Sequence, residues 1–178
     1  MTLEEIMDRL GALGHEKVKM NKTNHLQNEV SRVKAEDFGR VLEVWEASVR
    51  ATHDFVLETD IQFFKPTVRD VIPKMPALTC IRDHEHQVLG FLGASDGKVE
   101  MLFIHPDWRG QGIGKQLLEH AINTLGATEL EVNEQNPQAI GFYLKMGFEV
   151  IGRSERDGTN KPYPLLHMRL KANSSNLL

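Results

Sequence analysis

The sequence predicts an α/β fold with α+β character, in which helices cover both faces of one mixed β-sheet. Apolar residues recur at helical spacing in four segments, and short apolar runs bounded by turn residues lie between them. The resulting order of elements is β-α-α-β-β-β-α-β-α-β-β. A glycine-rich loop joins the fourth strand to the third helix, a connection that often holds phosphate groups.

The first half of the chain supplies two helices and the beginning of the sheet. "EVSRV" at residues 29–33 predicts a strand, and helical spacing predicts helices over 35–50 and 59–73. "ATHDFV" separates the two helices, and the second ends at Pro73. "ALTCIR" and "VLGFLGA" flank the polar "DHEHQ", so these two runs predict an antiparallel hairpin.

The second half alternates strands and helices. "KVEMLFI" predicts a strand, and the helix after the glycine loop begins near Ile113 and stops at Gly126. "TELEV" predicts a short strand. The last helix has Asn136 as its cap, Pro137 at its first position and Gly147 as its terminator. "FEVIGR" and "YPLLHMRL" predict the two final strands.

The composition of the chain and the positions of its helix- and strand-ending residues predict one folded domain over residues 28–171 of the 178-residue chain. Residues 1–27 predict an N-terminal appendage and linker. The sequence does not decide whether this appendage forms a homodimer contact, a strand-like arm or a disordered segment. Residues 172–178 predict a flexible tail.

The charge and the cysteine content narrow the class of protein. The net charge of −4 favours neither a general nucleic-acid binder nor a membrane-surface binder. The single cysteine, Cys80, excludes an intramolecular disulfide and suits a reducing compartment. The acidic start "MTLEEIMDRL" is unlike a secretory signal, and no segment has the apolar length of a membrane span. We therefore expect a cytoplasmic protein.

The stretch "HPDWRGQGIGK", residues 105–115, predicts a diphosphate-binding turn. Its glycines leave backbone N–H groups unshielded, and the following helix directs the positive end of its dipole at the loop. A P-loop is excluded because Arg109 and Gln116 stand where a glycine and a hydroxyl residue are required. A dinucleotide fingerprint is excluded because Lys115 or Leu117 stands at its last glycine. Taken alone, the stretch leaves a flexible strand-to-helix turn open as the alternative.

Two stretches together resemble the signatures of the GNAT (Gcn5-related N-acetyltransferase) superfamily. "RGQGIG" fits the pattern Q/R-x-x-G-x-G/A, and "NPQAIGFYLKMGF", residues 136–148, resembles the second signature. The resemblance covers about residues 28–171. The closing portion is similar to a bacterial subgroup of small GNAT proteins, some of which are described as protein-lysine acetyltransferases. The resemblance implies the GNAT fold, a mostly antiparallel sheet of about seven strands flanked by about four helices.

The resemblance implies an acetyl-CoA-dependent N-acetyltransferase, an acyltransferase whose acceptor is a primary amine such as a protein lysine. A small-molecule acetyltransferase that acts on an amino acid, a polyamine or an antibiotic stays open as the alternative. So does a non-catalytic acyl-CoA-binding module. Acetyl-CoA is the implied co-substrate, and no metal is expected, since "HEH" at residues 84–86 lacks a third ligand at a typical spacing.

The resemblance also implies which residues hold the cofactor. The N–H groups of residues 111–115 are implied to cradle the pyrophosphate, and the segment 101–104 to pair with the pantetheine arm. A backbone N–H near Phe103 is expected to face the oxyanion. Asn136 is implied to contact the arm, and a helix-cap role stays open beside it. The full implied set is Leu102, Phe103, Ile104, Arg109, Gly110, Gln111, Gly112, Ile113, Gly114, Lys115, Asn136, Ala139 and Phe142.

Catalytic roles are implied for Tyr143 and Glu100. Tyr143 matches the family tyrosine that protonates the departing thiolate as general acid, and a core aromatic is the alternative. Glu100 lies where family members often carry an acid, which would serve as the base that a protonated lysine needs. A solvated edge-strand carboxylate is its alternative. His53 and Asp54 are second candidates that border the acceptor pocket, and Tyr163 is an acceptor-side candidate whose direction stays open.

Overall fold

Seven strands form one sheet in the computed structural model, which describes residues 27–172. They are β1 (Gln27–Arg32), β2 (Ala77–Arg82), β3 (Val88–Ser95), β4 (Lys98–Ile104), β5 (Glu129–Asn133), β6 (Phe148–Ser154) and β7 (Leu165–Leu170). Their order in the sheet is β1-β2-β3-β4-β5-β7-β6. All neighbours are antiparallel except β4 and β5, which run parallel. The predicted mixed, mostly antiparallel sheet is confirmed.

Four α-helices lie within the described residues. They are α1 (Phe38–Thr52), α2 (Glu58–Val71), α3 (Ile113–Asn123) and α4 (Pro137–Lys145). Short 3₁₀ turns precede α1, follow α2 and open the glycine loop; they span Ala35–Asp37, Ile72–Lys74 and Pro106–Trp108. The order of strands and helices is the predicted one.

The helices pack on both faces of the sheet, as the sequence predicts. On one face α1 and α2 enclose a core that includes Val44, Trp45 and Phe91, each at most 5% exposed. On the other face α3 and α4 enclose a core that includes Leu117 and Phe148, both fully buried. Successive side chains of β3 point to opposite cores, which explains the continuous apolar run of this strand.

Capping residues at both ends of α4 fix the position of this helix and of the side chains on it. The Asn136 side chain accepts a hydrogen bond from the Ala139 N–H at 3.1 Å and so caps the helix. Pro137 occupies the first helical position. Gly147 follows the helix with a φ of 92°, a conformation that favours glycine.

Several boundaries differ from the prediction by a few residues, and two of them involve prolines. The last strand begins at Leu165 and leaves Tyr163 outside, because Pro164 has no N–H to donate to the ladder. The second helix ends at Val71, and Pro73 lies in the 3₁₀ turn beyond it. The predicted appendage up to residue 26 and the predicted tail from residue 173 lie outside the described residues.

Replacing Thr79 by valine is expected to leave the protein equally stable or to stabilise it by up to about 1 kcal/mol. Thr79 lies in β2 and is 9% exposed, and its buried hydroxyl oxygen has no hydrogen-bond partner among the described residues. Valine has the same branched shape and removes the unsatisfied polar group. Urea unfolding of both proteins measures the difference. A loss of more than about 1 kcal/mol would show that the hydroxyl stabilises the fold.

Candidate active site

The site begins where β4 and β5 separate. Within the described residues the two strands pair at Lys98–Glu129 and Val99–Leu130 only. Beyond these pairs β4 continues along β3, whereas β5 continues along β7. The divergence opens a cleft of about 1050 Å³ that is lined by residues of α1, α3 and α4. Because α1 lies on the opposite face from α3 and α4, the cleft reaches both sides of the sheet.

The cleft edge of β4 presents backbone groups at alternating residues. The His105 N–H donates to the Leu89 carbonyl at 2.8 Å, which sets the direction of hydrogen bonding along β4. By this alternation the N–H and C=O of Phe103 point toward β3, and those of Leu102 and Ile104 point toward the opening. The N–H expected near Phe103 for an oxyanion is therefore that of Leu102 or Ile104.

The glycine loop leads into the N-terminal end of α3 and borders the cleft. Gly110 and Gly112 have φ values of 74° and 82°, a region that favours glycine. Gly112 is the N-cap of α3 and offers no side-chain acceptor to the first N–H groups of the helix. A Cβ at Gly110 would meet no heavy atom within 4 Å. This open array of N–H groups suits a diphosphate.

The cleft brings together every residue implied for the cofactor except Gln111. The Gln111 side chain turns back to the Asp107 carbonyl, to which its amide donates at 3.3 Å. Arg109 donates to the Gln138 side chain at 2.8 Å and so ties the glycine loop to α4. The amide nitrogen of the Gln111 side chain is thus engaged within the loop, whereas its Oε1 is buried and has no hydrogen-bond partner among the described residues.

Tyr143 lies in α4 and lines the cleft with 8% of its surface exposed. Its ring packs against those of Phe142 and Phe148 at centroid distances of 5.2 and 6.1 Å. Burial raises the pKa of the Tyr143 hydroxyl above its ordinary value, so the phenol keeps its proton throughout the neutral range. The side chain is therefore a core aromatic that also lines the cleft, and its hydroxyl is protonated at neutral pH.

Three carboxylates line the cleft, and the sequence indicated only Glu100. Glu119 of α3 pairs with Lys115 at 3.7 Å, whereas the other two lie beside Lys98 of β4. Glu100 is the additional residue in a bulge of the β3–β4 ladder, and it accepts a hydrogen bond from the Ser95 hydroxyl at 3.0 Å. Glu131 of β5 is the second carboxylate. The Lys98 ammonium lies 3.1 Å from Glu131 Oε2 and 3.7 Å from Glu100 Oε2. Glu100 and Glu131 therefore belong to one charge network.

The network continues from Glu131 across the sheet. His167 Nδ1 lies 3.0 Å from Glu131 Oε1, and the Ser154 hydroxyl lies 2.7 Å from His167 Nε2. In "ELEVN" Glu131 alternates with the buried Leu130 and Val132, a signal that places it on the other face of the sheet. That signal does not show which strand pairs with β5. The sequence alone therefore could not predict that Glu131 lies near Glu100.

The three acceptor-side candidates separate in the structure. His53 follows α1 and lines the cleft, with its ring centroid 6.5 Å from that of Phe103. Asp54 is exposed and does not line the cleft. Tyr163 is buried away from the cleft lining, and its hydroxyl donates to the Asp60 carboxylate of α2. Tyr163 thereby anchors the segment before β7 to α2.

Acid is expected to destabilise the protein through His53. Burial and the nearby Arg109 charge lower the His53 pKa from 6.5 to about 4. Between these values the unfolded chain binds a proton that the folded chain does not bind, so stability falls as the pH falls through this window. The expected loss is roughly 1–3 kcal/mol. Urea unfolding from pH 7 to pH 4 measures it, and His53→Gln should flatten the dependence. An equally steep dependence in the variant would assign the loss to other groups.

Within residues 27–172 no helix has the length and apolar content needed to cross a membrane. In the same part of the chain no three His, Cys, Asp or Glu side chains converge in a way that could hold a metal ion. The histidines of "HEH" lie in the turn between β2 and β3.

Known proteins resemble this chain in sequence. The family described as an acetyltransferase (GNAT) domain matches residues 76–150. A Salmonella typhimurium protein named peptidyl-lysine N-acetyltransferase YjaB is 43% identical over 139 residues, which cover 78% of this chain and 95% of that protein. The Escherichia coli protein of the same name is 40% identical, over 78% of this chain and 94% of its own.

Solved structures resemble it in fold. The solution structure of apo-form YjaB from Escherichia coli superposes with a TM-score of 0.74 at 40% identity, over 79% of this chain and 95% of that one. A PaiA N-acetyltransferase from Thermoplasma acidophilum, in complex with coenzyme A, shares the fold with a TM-score of 0.61 at 22% identity, over 80% of this chain and 98% of that one. With its diverging strands, glycine loop and cleft tyrosine, the chain belongs to the GNAT acetyltransferase family and is an N-acetyltransferase.

Proposed function

We propose that this enzyme transfers the acetyl group of acetyl-CoA to the ε-amino group of a protein lysine. The observation that carries the proposal is a single cleft with a diphosphate cradle on one side of the sheet and two carboxylates on the other. The carboxylates suit a cationic acceptor. Both YjaB relatives are named peptidyl-lysine N-acetyltransferases, which supports a lysine as that acceptor.

The cofactor would be held by backbone groups of the loop and of β4. The N–H groups from Gly112 to Lys115 would bind the diphosphate, and Arg109 adds positive charge beside it. The backbone groups of Leu102 and Ile104 would pair with the pantetheine arm in the manner of an added strand. Bound acetyl-CoA supplies an acyl thioester whose carbonyl carbon an amine can attack.

The reaction is a direct transfer in which three groups of the chain take part. Glu100 accepts a proton from the acceptor ammonium, since only the neutral amine attacks. The Leu102 N–H stabilises the oxyanion, and Tyr143 protonates the departing thiolate. An acyl-cysteine route is disfavoured because Cys80 lies in the core under α1, where burial raises its thiol pKa.

The test of the proposed function is an acetyl-CoA consumption assay over lysine peptides and a panel of amino acids, polyamines and aminoglycosides. Lysine peptides are expected to be the better substrates. A preference for small amines would replace the proposed acceptor. Binding of acetyl-CoA without turnover on any amine would identify a non-catalytic acyl-CoA-binding module.

A cytoplasmic location, a homodimer and the lack of a nucleic-acid partner remain predictions.

Glu100→Gln is expected to lower kcat/KM for a lysine peptide by about 10²-fold at pH 7, because the variant cannot accept the proton. The pH–rate profile should also lose the ascending limb that reports the base. Glu131→Gln is the matched variant, since it removes the other cleft carboxylate that pairs with Lys98. If only the Glu131 variant loses that limb, the base is Glu131 and the role proposed for Glu100 is wrong.

A further inference from the structure

One lysine of this chain already contacts the acceptor side of the cleft. Lys98 directs its ammonium at two of the cleft carboxylates, 3.1 Å from Glu131 Oε2 and 3.7 Å from Glu100 Oε2. It lies in the short paired segment directly before β4 and β5 separate. An incoming lysine ammonium would meet the same two carboxylates, so Lys98 has the chemistry and the surroundings of an acceptor.

Other lysines with carboxylate partners differ from Lys98 in their surroundings. Lys161 pairs with Asp60 at 2.7 Å and Lys65 with Glu46 at 2.6 Å, and neither carboxylate lines the cleft. Lys115 pairs with Glu119 at 3.7 Å and both line the cleft, but Lys115 lies on the diphosphate side, at the start of α3. Its side chain is 62% exposed, whereas that of Lys98 is 29% exposed. Non-enzymatic acetylation, which follows exposure, would therefore favour lysines other than Lys98.

We propose that Lys98 is a site of self-acetylation, an inference that rests on the proposed function. The Lys98 ammonium gives one proton to the carboxylate of Glu131 or Glu100, and the neutral Nζ attacks the thioester carbon. The N–C bond forms, the nitrogen gives up its second proton to water, and the C–S bond breaks. The Tyr143 hydroxyl protonates the departing thiolate and is reprotonated from solvent by this proton, while the carboxylate releases the other. The net change converts a lysine ammonium and acetyl-CoA into acetyl-lysine, free CoA thiol and one proton.

The proposed reaction is intramolecular, because Lys98 contacts the carboxylates of its own chain. Its rate constant is therefore independent of the protein concentration, and the effective concentration of the acceptor is high. Acetylation also removes the positive charge of Lys98. The two cleft carboxylates then lose this partner and can bind the ammonium of another acceptor.

The test follows every lysine of the full chain by peptide mass spectrometry during incubation with ¹³C-labelled acetyl-CoA. Lys98 is expected to gain label first, with a first-order rate constant that is unchanged over about a tenfold range of protein concentration. Lys161 is the matched control, since its side chain is ion-paired and 32% exposed, close to the 29% of Lys98. Acetyl phosphate in place of acetyl-CoA measures acetylation without the enzyme's chemistry.

Two variants sharpen the result. Tyr143→Phe should slow the labelling of Lys98 by acetyl-CoA and leave its labelling by acetyl phosphate unchanged. Lys98→Arg should remove the label from this peptide while the ion pairs are retained. Wild-type protein could also carry unlabelled acetyl-Lys98 that formed during expression. If the Tyr143→Phe protein lacks this acetyl group, the result supports the inference as well. Labelling of Lys98 no faster than Lys161, or a rate constant that rises with protein concentration, overturns it.

A lysine peptide assayed with the same protein separates the two proposals. Acetylation of the peptide without label on Lys98 removes self-acetylation alone. If neither the peptide nor Lys98 is acetylated, the result contradicts the proposed function together with this inference.

Discussion

Tyr143→Phe is expected to lower kcat by about 10²- to 10³-fold while the affinity for acetyl-CoA changes by less than about twofold. Phenylalanine retains the ring that packs against Phe142 and Phe148 and removes only the hydroxyl. The thiolate would then leave without its proton donor. Because burial raises the Tyr143 pKa, the donor stays protonated in the wild type well above neutral pH.

Three measurements separate catalysis from structure at Tyr143. Release of free CoA thiol gives kcat, calorimetry with acetyl-CoA gives the dissociation constant, and thermal melting reports the packing. Wild-type turnover in the variant would exclude Tyr143 as the general acid. A joint loss of binding and melting temperature would instead assign the effect to the core.

Gly112→Asp is expected to weaken acetyl-CoA binding by about 10²-fold, which corresponds to about 2.7 kcal/mol. Gly112 has a φ of 82°, and it is the N-cap of the helix whose N–H groups form the cradle. An aspartate side chain would accept hydrogen bonds from those N–H groups and repel a diphosphate. Aspartate at this φ also strains the backbone, a cost in stability that a second glycine with a positive φ can report separately from the loss of cofactor affinity.

Gly126→Asp is the matched control for this substitution. Gly126 has a φ of 68°, a Cβ there would meet no atom within 4 Å, and the residue does not line the cleft. The variant introduces the same charge at a similar backbone conformation. Calorimetry should show an unchanged dissociation constant for acetyl-CoA. Equal losses in both variants would contradict the assignment of the loop to the diphosphate.

The order of the elements could be predicted because each element has a local signal. The strand "KVEMLFI" lies between a turn and the glycine loop, and the structure gives it the predicted bounds, Lys98–Ile104. The capping of α4 by Asn136 is equally local and is confirmed. The insertion of β7 between β5 and β6 depends on long-range pairing, and no local pattern of residues reports it.

The same distinction divides the candidate site. The glycine loop and Tyr143 belong to short motifs, so their positions beside one cleft could be predicted. Glu131 joins Glu100 only because β4 and β5 are neighbours, and the Tyr163 hydroxyl meets Asp60, which is 103 positions away in sequence. Side-chain partners at such separations are set by the packed sheet and not by the spacing of residues.

The separation of β4 from β5 also has a mechanical consequence. Strands β1–β4 form one antiparallel block and β5, β7 and β6 form another. Within residues 27–172 the strands of the two blocks are paired at only two positions, Lys98–Glu129 and Val99–Leu130. The apolar core under α3 and α4 spans both blocks, with Leu92 on one and Leu130 on the other. A ligand bonded to both edges of the opening cross-links the blocks, so its binding should raise the stiffness and the unfolding temperature of the whole sheet.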